Sequence, residues 1–220
     1  MKKITIVIAL VLTFAATAIS QSATYLAAMQ TNLAQLDTTQ KMEDFQKLAN
    51  AFARIAEAEP KEWLPKYYNA YCNLVIGFMV SDTDPSKGQI FVSLAQTQVT
   101  EAQASNPTEV ELVILQGYIY IGRIMENPMS KGAEYSPKCF QQIGKANMMD
   151  SNNPRANHVK GLLTMNMPEF YGGGAAKAKP ILEKAAQQYE TFKPATPLHP
   201  NWGKSRNAML LQECKDQTTK

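Results

Sequence analysis

The sequence predicts an all-α fold built from stacked helix pairs, and three observations support this. Cap-then-proline dipeptides, which are typical of helix starts, recur along the chain. Apolar residues between them recur at spacings of three and four, which a helix places on one face. No segment alternates apolar and polar residues between hairpin turns, as strands would. The dipeptides are Asp84-Pro85, Asn106-Pro107, Ser136-Pro137 and Asn153-Pro154.

The N-terminus has the pattern of a secretory signal peptide. Lys2 and Lys3 precede an apolar run over residues 4–16, and Ala18-Ile19-Ser20 offers the small residues that signal peptidase reads. The run is shorter than the roughly 20 residues that a membrane-spanning helix needs. We therefore predict a cleaved signal peptide over residues 1–20 and an exported protein, either periplasmic or secreted.

Composition narrows the partners that the exported chain could bind. Hydrophobic residues make up 45% of the chain and charged residues 19%, which is ordinary for a globular domain. The formal net charge of +3 includes the two lysines of the signal peptide, so the mature chain is near neutral. Such a charge favours neither nucleic acid nor an anionic membrane. Cys72, Cys139 and Cys214 lie far apart among helix-forming residues, which favours buried thiols over a disulfide framework.

The helical pattern predicts nine helices and a single domain over residues 21–220. Their expected ranges are 22–36, 39–58, 62–80, 86–105, 108–125, 137–149, 154–167, 174–192 and 201–216. The second helices of successive pairs share a pattern of small and apolar residues at spacings of four and three, which puts them on one face. The sets are Ala95, Val99 and Ala102; Cys139, Ile143 and Ala146; and Ala178, Leu182 and Ala185.

The first helices carry a matching small residue where a partner helix would cross closely, as at Gly117, followed by Tyr120. With the turn-like stretch from Asp150 to Ala156, these residues resemble the tetratricopeptide repeat family. The resemblance implies a right-handed superhelical stack of about four antiparallel helix pairs plus a C-terminal capping helix. The implied repeats are residues 22–60, 61–106, 107–152 and 153–194, with the capping helix over 200–217.

The repeat spacing departs from the family's period of about 34 residues. Ala102 and Ala146 are 44 positions apart, and Ile55 and Ala102 are 47 apart. The excess lies between the first and second helix of each pair, over residues 80–87, 126–135 and 168–173. We expect these three insertions on one edge of the stack.

The resemblance also implies that the first helices line a concave groove. The residues expected there are Tyr67, Tyr71, Ile114, Tyr118, Arg155 and His158. We predict that this groove holds a protein or peptide partner. The alternative is a small apolar ligand, bound by a soluble companion of an envelope transport system. The sequence leaves open whether the same stripe is instead part of the core.

Motifs for catalysis and metal binding are weak. The chain has two histidines and neither an H-E-x-x-H nor a G-x-S-x-G motif. Gly203-Lys204-Ser205 resembles the end of a phosphate-binding loop, but Leu198 occupies the position of its required glycine. Gly172-Gly173-Gly174 is best interpreted as a turn between paired helices. We predict a non-catalytic binding protein without a cofactor or a bound metal.

Overall fold

The computed structural model describes residues 22–218, so the predicted signal peptide lies outside the described part. Regular structure in this range is helical throughout, which confirms the all-α prediction. The helices are α1 (Ala23–Leu36), α2 (Met42–Ala58), α3 (Leu64–Ser81), α4 (Pro85–Ser105), α5 (Val110–Ile124), α6 (Pro128–Met149), α7 (Pro154–Asn166), α8 (Ala175–Thr191) and α9 (Lys204–Thr218), with a short 3₁₀ turn at Glu169–Tyr171.

Cap-then-proline dipeptides start several of these helices. The side chain of Asp84 accepts a hydrogen bond from the Lys87 amide, 3.0 Å away, and Pro85 begins α4. The side chain of Asn153 caps α7 in the same way through the amide of Arg155. Each such cap stabilises its helix by about 1 kcal/mol.

Helix α6 begins nine residues earlier than expected, at Pro128 instead of position 137. Asn127-Pro128 is itself a cap-then-proline pair, and the Asn127 side chain accepts a hydrogen bond from the Ser130 amide. Pro137 lies inside the helix on its exposed side, where water can satisfy the carbonyl group that loses its partner. The predicted insertion over residues 126–135 is therefore mostly helix.

The helices pack as antiparallel neighbours along the chain. α3 packs on α4, α5 on α6 and α7 on α8, while α3, α5 and α7 also contact one another in succession. Gly117 of α5 faces α6 closely, since a Cβ atom there would lie 3.0 Å from Ile143 Cδ1. Gly161 of α7 faces Leu182 of α8 in the same manner. Both glycines contact the second helix of their own pair, as predicted.

The buried apolar residues form two clusters. The main cluster is contributed by helices α1 to α7 and by Leu198, which follows α8. A smaller cluster joins α8 to α9 through Leu182, Leu210 and Cys214. Cys72 and Cys139 are buried as well, in α3 and α6. Within residues 22–218, no helix has the length and apolar character needed to cross a membrane.

Candidate functional site

Residues 192–203, between α8 and α9, form an irregular segment that lies against the first helices; we call it the strap. The Tyr68 hydroxyl of α3 donates a hydrogen bond to the Leu198 carbonyl oxygen, 2.7 Å away. The Tyr189 hydroxyl of α8 donates to the Trp202 carbonyl oxygen, 3.3 Å away. The strap therefore spans the molecule from its C-terminal pair to α3.

Trp202 of the strap lies among aromatic rings from two of the first helices. Its indole is nearly parallel to the Tyr71 ring, with centroids 4.8 Å apart and an interplanar angle of 28°. It is also nearly parallel to the Tyr118 ring, at 5.6 Å and 20°. The indole Nε1 donates a hydrogen bond to the Tyr67 hydroxyl oxygen, 2.7 Å away. Stacking and the polar contact together fix the indole between α3 and α5.

Further rings extend this arrangement into what we call the aromatic cluster. The Phe78 and Tyr118 rings are 4.9 Å apart, and the His158 ring meets the indole edge-on at 6.1 Å. Tyr67 is fully buried, whereas Tyr71, Phe78 and Trp202 are partly exposed. The cluster consists of Trp63, Tyr67, Tyr71, Phe78, Tyr118, His158 and Trp202. It presents flat, largely apolar surface that is partly open to solvent.

A buried ion pair lies beside the cluster. The Arg155 Nε donates to Glu111 Oε2 at 2.8 Å, and Arg155 Nη2 donates to Glu111 Oε1. The Asn153 side chain donates a further hydrogen bond to Glu111. The guanidinium also lies over the Phe192 ring, 4.5 Å from its centroid, and 5.9 Å from that of Trp202. Its Nη1 is buried and has no hydrogen-bond partner within residues 22–218.

His158 is neutral at physiological pH. Burial lowers its pKa to about 4, and the positive charges of Arg206 and Arg155 act in the same direction. Asn207 uses its amide nitrogen to bind the Leu182 carbonyl, so its oxygen faces His158 Nδ1 at 3.3 Å. That contact assigns the ring proton to Nδ1. Burial likewise raises the pKa of Tyr118 to about 12, so its hydroxyl keeps its proton.

Five of the six predicted groove residues surround Trp202. Tyr67, Tyr71, Tyr118, Arg155 and His158 each contact the indole, from α3, α5 and α7. Ile114 is instead part of the main apolar cluster. Of the six, Tyr71 is partly exposed and the others are buried beneath the strap or their neighbours.

The sequence interpretation missed Trp202, Phe78 and the strap. One signal was available, since Pro194, Pro197 and Pro200 recur every third residue. This spacing excludes a helix and indicates an extended segment. No sequence pattern indicated the surface on which that segment lies.

The glycine-rich stretch before α8 has the geometry of a turn. Gly172 and Gly174 have φ angles of +82° and +93°, which side-chain-bearing residues rarely adopt. A Cβ atom on Gly173 would lie 2.2 Å from the Met167 carbonyl oxygen. The neighbouring Phe170 and Tyr171 are exposed. Residues 22–218 contain no group of three or more histidine, cysteine, aspartate or glutamate side chains that could hold a metal ion.

The fold and the site together define a class: an all-helical protein with an aromatic surface on its first helices. The structure is similar to the HusA haemophore from Porphyromonas gingivalis, with a TM-score of 0.77 and 27% sequence identity. The similarity covers 90% of this chain and 96% of that one. No model of a known protein family matches the sequence, so tetratricopeptide membership stays a prediction. No curated protein matches it either.

Proposed function

We propose that this chain is an exported, non-catalytic carrier that binds haem on the aromatic cluster. The observation that carries the proposal is the likeness to a haemophore over nearly the whole length of both chains. Of the two functions predicted from sequence, this develops the second, a small apolar ligand. Export is supported by the signal-peptide pattern of residues 1–20.

The chemistry of the cluster suits a flat tetrapyrrole. A porphyrin ring is broad and apolar, and the partly exposed rings of Tyr71 and Phe78 offer stacking surface for it. Haem also carries two carboxylates, which need positive charge at the rim of the site. Arg206 is exposed and close enough to lower the pKa values of Tyr118 and His158. Its guanidinium, which pairs with Glu213 at 3.3 Å on the same helix, is a candidate partner for one carboxylate.

The positions of the histidine and tyrosine side chains in the cluster favour recognition of the porphyrin ring over coordination of its iron. His158 is 1% exposed and lies edge-on to the Tyr118 and Trp202 rings. The hydroxyls of Tyr67 and Tyr71 retain their protons, because burial raises the pKa of each well above its ordinary value. While the strap lies on the first helices, none of these three side chains can therefore ligate the iron.

A peptide partner is the second candidate, and the strap favours it. The strap is itself an irregular, non-helical segment of this chain lying on the first helices, with Trp202 as its anchor. A partner peptide with an aromatic side chain could use the same contacts. It would compete with haem for one surface.

The test of export uses the mature protein purified from its host. N-terminal sequencing should place its first residue within about three residues of Gln21.

The test of binding is a titration with haemin, which should give one site per chain and a shifted Soret band. We expect a dissociation constant on the order of 1 μM or below. Tyr71→Ala and Phe78→Ala should each weaken binding by roughly 5- to 100-fold, the usual range for a central aromatic contact.

Phe170→Ala is the matched control, since Phe170 is 80% exposed and lies outside the cluster. It should bind haemin as the wild type does. Unchanged affinity in both cluster variants would place the site elsewhere, and absence of saturable binding would exclude the proposed function.

A further inference from the structure

We infer that the strap is a built-in plug: the Trp202 indole occupies the place that the planar ring of the ligand takes, and binding displaces it. This rests on the proposed function. The alternative is that Trp202 stays in place as part of the platform on which the ligand lies. The two arrangements predict opposite effects when the indole is removed.

The first argument is that Trp202 is bound as a ligand would be. Its ring stacks on Tyr71 and Tyr118, and its one polar atom donates to Tyr67. These three residues belong to α3 and α5, far away in sequence. The indole thus fills an aromatic site that the first helices already build.

The second argument is an unused donor beneath the strap. Arg155 Nη1 is buried without a hydrogen-bond partner within residues 22–218, and the guanidinium faces the Phe192 and Trp202 rings. A buried donor left unpaired is costly, and more so when it is charged. Displacement of those rings would expose Nη1 to a ligand carboxylate. The open form therefore gains a charge-assisted hydrogen bond that the closed form lacks.

The third argument concerns how the strap is attached. Between Lys193 and Trp202, the described backbone–backbone hydrogen bonds amount to one, from the His199 amide to the Thr196 carbonyl. Its remaining polar attachments are side-chain contacts such as Tyr68 with Leu198 and Tyr189 with Trp202. Few hydrogen bonds within the strap must break for Trp202 to leave, and Leu198 can keep its place in the main apolar cluster.

The strap also ends at a glycine with a special conformation. Gly203 has a φ of +106°, which disfavours other residues, and a Cβ atom there would lie 2.1 Å from the Tyr189 hydroxyl. α9 begins at the next residue. The bend at Gly203 can change while α9 keeps its packing on α8.

The test compares haemin binding by the wild type, Trp202→Ala and Phe170→Ala. A plug that closes the site most of the time weakens apparent affinity by the fraction of open molecules. Trp202→Ala should therefore bind haemin about 10-fold more tightly or better. Phe170→Ala, which truncates an exposed aromatic side chain outside the cluster, should bind like the wild type. Weaker or unchanged binding by Trp202→Ala would overturn the plug and leave the proposed function standing.

A measurement on the unaltered protein covers the case in which Trp202→Ala does not fold. Labelling of the Trp202 side chain by a photogenerated carbene, read by mass spectrometry, should increase when haemin saturates the wild type, because the indole leaves its site. Weaker or unchanged labelling of Trp202 would overturn the plug. If neither the wild type nor Trp202→Ala binds haemin, the proposed function fails and the plug falls with it.

Discussion

At the scale of single residues, Glu111 and Arg155 hold opposite charges where water is nearly absent. Arg155 is 0% and Glu111 4% exposed, so their desolvation is expensive. Three hydrogen bonds to Glu111, one of them from Asn153, offset part of this cost. Removal of one partner would leave an uncompensated buried charge, which typically costs 3–5 kcal/mol. The pair thus fixes the register between α5 and α7.

His158 makes stability depend on pH in a defined direction. Its pKa is about 4 in the folded protein against an ordinary value of 6.5, so the unfolded chain binds the proton more readily. The contribution of neutral His158 to the free energy of unfolding is fully present above pH 6.5 and is lost as the pH falls towards 4. The total loss is about 3 kcal/mol. We expect the free energy of unfolding, from urea titrations, to decline over this range.

His158→Gln should remove most of that decline, whereas His199→Gln should keep it. His199 is the chain's other histidine and is partly exposed beside Trp63. The comparison between the two variants separates the contribution of His158 to this pH dependence from that of the carboxylates, which titrate in part of the same pH range. An undiminished pH dependence in His158→Gln would contradict the assignment.

At the scale of helices, close crossings depend on glycines that face the partner helix. A Cβ atom at Gly161 would lie 2.6 Å from Leu182 Cγ, which is too short for any real contact. Gly144 lies on the exposed side of α6, and apart from its chain neighbours and the backbone of its own helix no atom lies within 4 Å of such a Cβ. Both glycines lie within α-helices, but only Gly161 faces a neighbouring helix.

Gly161→Ala should therefore destabilise the protein by about 1–3 kcal/mol, because α7 and α8 must separate or Leu182 must move. Gly144→Ala should stabilise it by roughly 0.5–1 kcal/mol, the difference in helix propensity. Chemical denaturation measures both. Equal effects at the two sites would mean that the α7–α8 crossing is looser than the structure has it.

Helix pairing was predictable from sequence because its signals are local. Small and apolar residues at helical spacing, as at Gly117 and Ile143, identify the crossing face of each pair without knowledge of the rest of the fold. The start of α6 was misassigned because two cap-then-proline pairs lie nine residues apart, at Asn127 and Ser136. A proline inside a helix is rare enough that the second pair was the better sequence choice. Its exposed position removes most of the penalty.

At the scale of the whole molecule, the strap joins parts that a simple stack keeps apart. In a stack of repeats each unit contacts its neighbours only. Here Tyr67 and Tyr68 of α3 bind strap residues 130–135 positions later in the chain. This closure is why most of the predicted groove residues are buried: Tyr67 is as inaccessible as the core residue Phe52, and only Tyr71 of the six is partly exposed. The stripe was visible in the sequence, but its cover was not, since nothing local links Trp202 to α3.

The closure predicts how the protein unfolds. If the strap couples the N-terminal and C-terminal pairs, the wild type should unfold in one urea transition, seen alike by circular dichroism and by tryptophan fluorescence. Leu198→Ala removes a strap side chain that packs in the main apolar cluster. It should cost about 2–5 kcal/mol and also lower the m-value or separate the two signals, because the ends of the stack then unfold apart.

Leu210→Ala is the matched control. Leu210 is as buried as Leu198 but belongs to the smaller cluster between α8 and α9, away from the strap's contacts with α3. Its truncation should cost a similar free energy while the two signals stay coincident, because the strap still joins the ends. A wild-type m-value in Leu198→Ala would contradict the coupling, as would the same separation of signals in Leu210→Ala. The first result would mean that α3, α5 and α7 transmit cooperativity by themselves, with the strap as a passive cover.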